Sequence, residues 1–411
     1  MSKTIIVALE IGTTNTVALV GEALDSGRVR VTGIGSAKTT GVRKGLIVDV
    51  QQAHASVETA IRQAEKSADI AIGETLLAVS GAHVIANRCE NRHPVLGAGG
   101  KVTHEDVDEL RRLAQQIPPE PGRIVLHTIS QSYRLDELDN VPNPINIRGK
   151  QLTLSTIAIS AKQERIDDAV NVLKGLAIDT RATVFSVLAA ATAVLSEEQR
   201  LHGVVLIDFG GGTTNFIAVN RNVVVAAGSL GVGGDHVTND IAQAFGIPLK
   251  IAEELKMSDG CAIIQEQQAD RLIKMPISMV PGAAQYISTK SLHTVIEARM
   301  RETLELVRDQ IGVEMRQSGA GVVCTGGGAY LPRLNELAGR VLGVPVQTGK
   351  LLADIEWPLN CNIKPAAFAT TGGLLLRSAQ KQNDFFVEQR ESILGIFKNS
   401  FARFGRIFGH D

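Results

Sequence analysis

Leu9-Glu10-Ile11-Gly12-Thr13-Thr14-Asn15 and Ile207-Asp208-Phe209-Gly210-Gly211-Gly212-Thr213-Thr214-Asn215 carry one pattern at two places half a chain apart. In each, an apolar, β-rich run ends near a carboxylate, passes through glycine and threonine, and re-enters an apolar run. This is the layout of a strand, a tight turn and a returning strand. Small residues let backbone amides reach phosphate oxygens. Threonine hydroxyls add donors, and the acids Glu10 and Asp208 can orient a divalent cation through its waters. Either turn alone reads equally well as an ordinary hairpin. A third glycine turn, Gly326-Gly327-Gly328, follows the apolar Val322–Cys324 and makes coincidence harder to sustain. The pattern predicts an α/β fold of duplicated lobes that grip a nucleotide from both sides.

At 411 residues and 44% hydrophobic, the chain can bury large cores and form several domains or subdomains. Its net charge of -1 supplies no global field for nucleic acid. Cys89, Cys261, Cys324 and Cys361 lack metal-ligand spacing and suit a reducing cytoplasm. The apolar run Ile5–Leu9 is too short for a signal peptide and is interrupted by Glu10. No run approaches the roughly 18 apolar residues of a spanning helix, so a soluble chain is expected. His54, His83, His93, His104 and His127 show no metal spacing and are expected at the surface or in hydrogen bonds. Trp357 reads as a packing residue, and no serine sits in a nucleophile elbow.

Along the chain, Ile5–Leu9, Val17–Val20 and Val29–Gly35 read as a strand meander, followed by Gly41-Val42-Arg43-Lys44-Gly45 and a helix over Val50–Ala68. Thr75–Ser80 is a further strand. From about Val84 to Ser160 prolines and glycines accumulate around one charged helix, Thr103–Gln116. Thr103 and Asp106 there form a capping-box-like start. With the β-rich runs Arg123–Tyr133 and Gln151–Ser160, this segment looks like a small inserted subdomain. Helices are expected over Gln163–Leu176 and Thr183–Leu195, and strands over Val204–Ile207 and Val223–Ala227. Further helices are expected over Ala242–Lys256, around Gly246–Pro248, and from Ser291 to about Gln317. Val344–Gln347 reads as a short strand. Glu253 and Lys256, three apart on one helical face, are spaced to hold a ribose hydroxyl and an adenine edge. A solvated ion pair explains them as simply.

After a polar linker, residues 392–408 form a second strong signal. At about 100° per residue, Ile393, Leu394, Ile396, Phe397, Phe401, Phe404, Ile407 and Phe408 share one helical face. Lys398, Arg403 and Arg406 flank or oppose it. A wide apolar face with cationic flanks predicts a helix lying in the plane of an anionic membrane surface, with docking on its own domain as the plainer alternative. Burying a phenylalanine is worth roughly 1.5–3 kcal/mol, and each basic residue near the surface about 1 kcal/mol. Ordering the backbone costs about 1–2 kcal/mol per residue. One tail should therefore bind weakly, and a polymer bearing many tails should gain avidity.

The three glycine turns, with Gly41-Val42-Arg43-Lys44-Gly45 and Gly233-Gly234-Asp235-His236-Val237-Thr238-Asn239-Asp240-Ile241, resemble those of the actin-like ATPases. Within that superfamily they are similar to the FtsA family of bacterial cell-division proteins, in order from about residue 4 to the tail. The resemblance implies an actin-like (ribonuclease H-like) fold with an inserted FtsA-type α+β subdomain. It implies ATP and Mg as cofactors. Gly12, Thr13, Thr14 and Asn15 would form the first phosphate loop, Gly210, Gly211, Gly212 and Thr213 the second. Gly233 and Gly234 would approach the phosphates, Gly326 to Gly328 the adenosine, and Glu253 and Lys256 ribose and base. Glu10 and Asp208 would serve magnesium through water.

The implied organisation places a first lobe at 1–83, 162–195 and 361–379, the inserted subdomain at 84–161, and a second-lobe core at 196–227 and 306–360. An upper subdomain at 228–305, a linker at 380–391 and the membrane helix complete it. The implied partners are the C-terminal peptide of FtsZ, with Arg299 as a candidate contact, further copies of the chain in a filament, other division proteins and the anionic membrane. Nucleic acid is not among them. The implied location is the cytoplasmic face of the inner membrane at the division site. Two departures bear on chemistry: Glu10 stands where many actin-like ATPases carry Asp, and Asn215 where an acid is common. Both should weaken water activation more than nucleotide binding, giving turnover slower than about one per second. A pilus-assembly relative, a small-molecule kinase of the same fold and a chaperone are the rival readings.

Overall fold

The computed structural model describes residues 4–25, 27–264, 269–275, 286–358 and 365–380. The chain opens with a meander, β1 (Ile5–Ile11), β2 (Asn15–Ala23) and β3 (Val29–Lys38), each strand antiparallel to the next. A hairpin of β4 (Val42–Arg43) and β5 (Leu46–Ile47) leads to α1 (Val50–Ala68). Asp49 caps that helix by accepting from Gln52 N at 3.1 Å. Strand β6 (Glu74–Val79) then runs parallel to β1.

The inserted segment holds β7 (Ile85–Pro94), α2 (His104–Gln115), β8 (Arg123–Leu135), β9 (Leu138–Val141) and β10 (Gln151–Lys162), in the sheet order β7-β10-β8-β9. The expected capping box is present: Thr103 Oγ1 accepts from Asp106 N at 3.1 Å, and Asp106 Oδ2 accepts from Thr103 N at 2.9 Å. A small core of its own includes Val107, Leu110, Tyr133, Leu152 and Leu154.

Next come α3 (Gln163–Gly175), β11 (Asp179–Phe185), α4 (Ser186–Val194) and α5 (Glu197–His202). A second meander follows, β12 (Val204–Phe209), β13 (Thr214–Asn220) and β14 (Val223–Leu230), then α6 (Gly234–Phe245) and α7 (Leu249–Asp259). The short pair β15 (Leu272–Lys274) and β16 (Tyr286–Ser288) precedes α8 (Thr289–Ile311). The remaining elements are β17 (Val322–Thr325), α9 (Leu334–Leu342), β18 (Val346–Thr348), β19 (Ile355–Glu356) and α10 (Ala369–Ala379).

The two main sheets show the duplication. One is ordered β11-β6-β1-β2-β3-β19 and the other β14-β13-β12-β17-β18. In each, the first strand of a meander lies parallel to a strand that follows a helical crossover, β6 beside β1 and β17 beside β12. Both sheets are covered by helices, so β12 is buried at every residue and is apolar but for Asp208. Helix α4, apolar all round, is buried at every position and joins the first core to Leu206 and Ile217 of the second sheet. Two close approaches fix the helices. A Cβ on Gly35 of β3 would stand 1.8 Å from Ala60 O of α1, and one on Gly373 of α10 would stand 1.8 Å from Ala189 O of α4.

Several boundaries depart from expectation. The helix expected over Thr183–Leu195 begins only at Ser186, because Asp179–Phe185 pairs with β6. The helix expected over Ala242–Lys256 is two, broken where Gly246 takes φ 61° and Pro248 starts α7. The helix expected to reach Gln317 stops at Ile311, where Gly312 takes φ 64° and a 3₁₀ turn follows. His127 is buried and accepts from Phe185 N at 2.9 Å. His83 departs from the expected surface or hydrogen-bonded role: both ring nitrogens are buried with no partner among the described residues. Trp357 packs edge-on to Phe368, ring centroids 5.7 Å apart. The residues proposed for the membrane helix, Ile393, Leu394, Ile396, Phe397, Lys398, Phe401, Arg403, Phe404, Arg406, Ile407 and Phe408, lie outside the described residues. No described helix is long and apolar enough to cross a membrane.

Candidate nucleotide site

Both glycine turns close in the same way. Gly12 N–H donates to Asn15 O at 3.1 Å, and Gly210 N–H donates to Thr213 O at 2.8 Å. A Cβ at Gly12 would stand 2.6 Å from Asn15 O, and one at Gly210 would stand 2.9 Å from Thr213 O, so each turn is closed by a glycine. The structure then sets the two turns face to face. A Cβ on Gly211 would fall 1.9 Å from Thr14 Oγ1, and one on Gly212 would fall 2.4 Å from Thr13 Oγ1. Hydroxyls of one lobe thus meet the backbone of the other at one point, where a side chain at 211 or 212 would collide with Thr13 or Thr14.

The start of α6 completes that cradle. Gly234 N–H donates to Gly210 O at 3.0 Å, and Asp235 N–H to Gly211 O at 2.7 Å. Side chains at Gly233 would strike Gly210 O and Gly211 O, each at 2.6 Å. His236 Nδ1 accepts from Gly233 N at 3.2 Å, which caps the helix; burial and the nearby Lys44 and Arg299 cations depress its pKa. A helix N-terminus held against this turn favours an anion through its dipole, its first amides being engaged by Gly210 O and Gly211 O. Lys256 reaches the same place: its Nζ donates to Gly234 O at 3.1 Å and Thr238 Oγ1 at 2.9 Å, and pairs with Glu253 Oε2 at 2.6 Å. Glu253 also accepts from Thr238 Oγ1. The pair is anchored to the α6 turn, unlike a solvated surface pair.

The acids lie behind the turns. Asp208, at the end of β12, accepts from Asn215 Nδ2 at 3.2 Å and from Thr325 Oγ1 at 3.4 Å. Burial raises its pKa, and these hydrogen bonds pull it back. Glu10 is raised to about 8, first by burial and then by the charge of Asp208, with a hydrogen bond from Thr370 opposing. Two carboxyls pushed toward neutrality by burial, Glu10 also by the charge of Asp208, form a donor set that a divalent cation would relieve. No cluster of three or more His, Cys, Asp or Glu ligands occurs among the described residues, so phosphate and water would have to supply the remaining ligands. Gly326 takes φ 80°, and a Cβ there would lie 2.6 Å from Asp208 Oδ1. Gly328 packs on Phe209, whereas nothing lies within 4 Å of a Cβ on Gly327, which faces open space.

Two groups in this region had no assigned role in the sequence. Asp235 Oδ1 lies 3.5 Å from a Cβ on Gly211, its pKa raised by burial. The β4–β5 hairpin brings Lys44 Cα to 2.8 Å from a Cβ on Gly212. The motif Gly41-Val42-Arg43-Lys44-Gly45 was the available signal for the hairpin. Arg299 lies in α8 and is already engaged: Nε donates to Asp240 Oδ2 at 2.6 Å, Nη2 to Asp240 Oδ1 at 3.1 Å, and Nη1 to Glu302.

The family described as "Cell division protein FtsA" matches residues 205–371, and "SHS2 domain inserted in FTSA" matches residues 81–160. The Pseudomonas aeruginosa cell division protein FtsA is 30% identical over 395 residues, covering 93% of this chain and 91% of that protein. The chain belongs to the FtsA family of cell-division proteins. The Escherichia coli K12 relative is 32% identical over 357 residues, 84% of each chain. Membership decides for a division protein over the pilus-assembly and kinase alternatives.

Solved structures establish the actin-like fold. The PilM–PilN type IV pilus biogenesis complex aligns with TM-score 0.61 at 16% identity, over 91% of this chain and 98% of that one. MreB5 of Spiroplasma citri bound to ADP aligns with TM-score 0.54 at 15% identity, over 93% and 97%.

Proposed function

We propose that this FtsA-family chain binds MgATP between its lobes, polymerises on the cytoplasmic face of the cell membrane at the division site, and anchors FtsZ filaments there. The observation that carries the nucleotide reading is the meeting of Thr13 and Thr14 with Gly211 and Gly212, with the α6 N-terminus behind them. Gly12, Thr13, Thr14 and Asn15 would hold the phosphates from one lobe, and Gly210 to Thr213 with Gly233 and Gly234 from the other. Gly326 to Gly328 would take the adenosine, Glu253 and Lys256 the ribose and base, and Glu10 and Asp208 the hydrated magnesium. The cation would neutralise phosphate charge when bound.

Hydrolysis is expected to be slow. The amide of Asn215 donates to Asp208 and accepts from Ser229 Oγ at 2.7 Å, so it offers no proton acceptor to an attacking water. ATP would then act as a clamp that sets the angle between lobes and hence the filament contacts. Under this reading the first lobe comprises 1–83, 162–195 and 361–379. The subdomain at 84–161 contributes to filament contacts, and 228–305 crowns the core at 196–227 and 306–360. A linker at 380–391 leads to the membrane helix at 392–408. Arg299 would contact the FtsZ peptide by exchanging Asp240 or Glu302 for a peptide carboxylate.

Electron microscopy on anionic lipid monolayers tests the whole reading, with and without MgATP, using the full chain and one lacking residues 392–411. Filaments on lipid that require both nucleotide and tail are expected. Undiminished lipid binding without the tail would refute the anchor. A folded full-length chain that shows no calorimetric saturation with MgATP would refute the clamp.

A further inference from the structure

Lys44 stands out because its backbone is unusual and its charge is unanswered. It holds φ 52°, a left-handed conformation that costs a non-glycine residue free energy, between Gly41 at φ 76° and Gly45 at φ 73°. The hairpin that imposes this conformation is tied to the first phosphate turn, since Gly45 N–H donates to Thr13 Oγ1 at 3.0 Å. It also abuts the second turn: Lys44 N and Cα both lie 2.8 Å from a Cβ on Gly212, and Thr213 Cγ2 lies 3.1 Å from one on Gly45. The lysine stem runs on towards the turn before α6, its Cδ 4.0 Å from a Cβ on Gly231. Its charge is felt at His236, in the first turn of that helix. Among the described residues no ion pair or hydrogen bond engages the ammonium, whereas Lys256, the other lysine of the cradle, is fully engaged.

An unpaired cation carried by the first lobe thus lies where three phosphate-holding elements converge, two of them from the second lobe. We infer that Lys44 is the contact for the terminal phosphate of the bound nucleotide, and that it joins the lobes only when that phosphate is present. This inference rests on the proposed nucleotide site and deepens it. A diphosphate would still be held by the two turns and the α6 N-terminus, but would leave the lysine without a partner. The hairpin would then read the difference between tri- and diphosphate, and Gly45 would pass it to Thr13. A flexible lysine suits this task as a compact point charge with three donors that can follow a moving phosphate oxygen. The strained backbone keeps its Cα fixed against Gly212.

The test compares ATP, ADP and ADP with inorganic phosphate by calorimetry on the full chain, with magnesium present. Lys44→Gly removes the side chain while relieving the left-handed backbone, so it should fold at least as well. Lys44→Arg keeps the charge, and Arg43→Ala is the neighbouring control. The wild-type chain should bind ATP about tenfold or more tightly than ADP, as a charge-assisted contact to one extra phosphate would give. Lys44→Gly should remove that preference and leave ADP affinity unchanged. Lys44→Arg should keep part of it, and Arg43→Ala all of it. Hydrogen exchange at the Gly45 amide should slow with ATP but not with ADP, and this difference should vanish in Lys44→Gly.

If ADP with inorganic phosphate restores the hairpin protection, the lysine recognises free phosphate as well, and the position of the site stands. Equal losses of ATP and ADP affinity in Lys44→Gly, or an intact preference, would overturn the inference and leave the nucleotide site standing. A folded wild-type chain that binds neither nucleotide would overturn both.

Discussion

In the first phosphate turn the acid behind the loop, Glu10, has one identified hydrogen-bond partner, Thr370 from α10. In the second, Asp208 is braced by Asn215 and by Thr325, and Asn215 is held in turn by Ser229, whose Oγ accepts from Gly81 N at 3.2 Å. The backbones of the two turns are alike, yet their supports differ. The second lobe offers a carboxyl held by two hydrogen bonds; the first offers one whose pKa burial and the charge of Asp208 raise to about 8. Duplication supplied the loop geometry, and each copy then acquired its own electrostatic setting. The second setting also reaches across the cleft, because Gly81 opens the turn after β6 of the first lobe.

The comparison can be broken most severely at the point of contact. Gly211→Val should drive a side chain into Thr14 and lower MgATP affinity by about two orders of magnitude or more, a loss of about 2.7 kcal/mol or greater. Calorimetry reads this, with circular dichroism to confirm folding. Gly73→Ala, where nothing lies within 4 Å of the added Cβ, should bind as the wild type does. Equal binding by both variants would mean the turns do not share a ligand.

Next in size is the asymmetry of support. Asn215→Ala strands Asp208 and Ser229 in a buried network and should cost about 1–3 kcal/mol in denaturant unfolding. Thr370→Val, at the first acid, should cost about 0.5–1.5 kcal/mol. Matching losses would erase the distinction drawn between the two acids.

A pH-dependent effect, absent at neutral pH, sits beside the cleft. Burial and the charges of Arg123, Arg165 and Lys162 lower the pKa of His83 from 6.5 to about 4. As pH falls from 6.5 toward 4, the unfolded chain takes up a proton that the folded chain refuses, so stability drops across that window. His83→Phe should flatten the melting temperature there and leave it unchanged in slope above pH 7. The smallest effect is expected at Arg299→Ala. Its partly exposed pairs with Asp240 and Glu302 contribute only about 0–1 kcal/mol. Melting should barely move, while affinity for an acidic, hydrophobic FtsZ-type peptide should fall. A large melting shift with intact peptide binding would assign Arg299 to structure alone.

The paired turns were legible in sequence because one pattern recurs half a chain apart and a third glycine turn follows another apolar strand. The capping box at Thr103 and Asp106 was legible for the same local reason. Strand β7 was not: its sequence, Ile-Ala-Asn-Arg-Cys-Glu-Asn-Arg-His-Pro, is polar and half-exposed, and it is a strand because β10 pairs with it along its length. The start of α4 was misread because Thr183, Val184 and Phe185 continue an apolar pattern whose first part pairs with β6. Lys44 was quoted within a motif but given no task, since only the fold reveals that its hairpin lies against Gly212. The anchoring of Lys256 to Gly234 and Thr238 likewise needs the third dimension.

Helix α10 begins beside Glu10, which Thr370 bonds, and ends at Ala379, with Gln380 as its cap, at the start of the C-terminal segment. Gly373 lets its backbone rest directly on that of α4, with no side chain to act as a cushion. A pull on the chain beyond Gln380 would therefore meet a stiff rod seated on a hard bearing. Under the proposed anchor and nucleotide site, load on the C-terminus would travel along that rod to the threonine touching Glu10, and mechanical tension and ligand occupancy would share one axle.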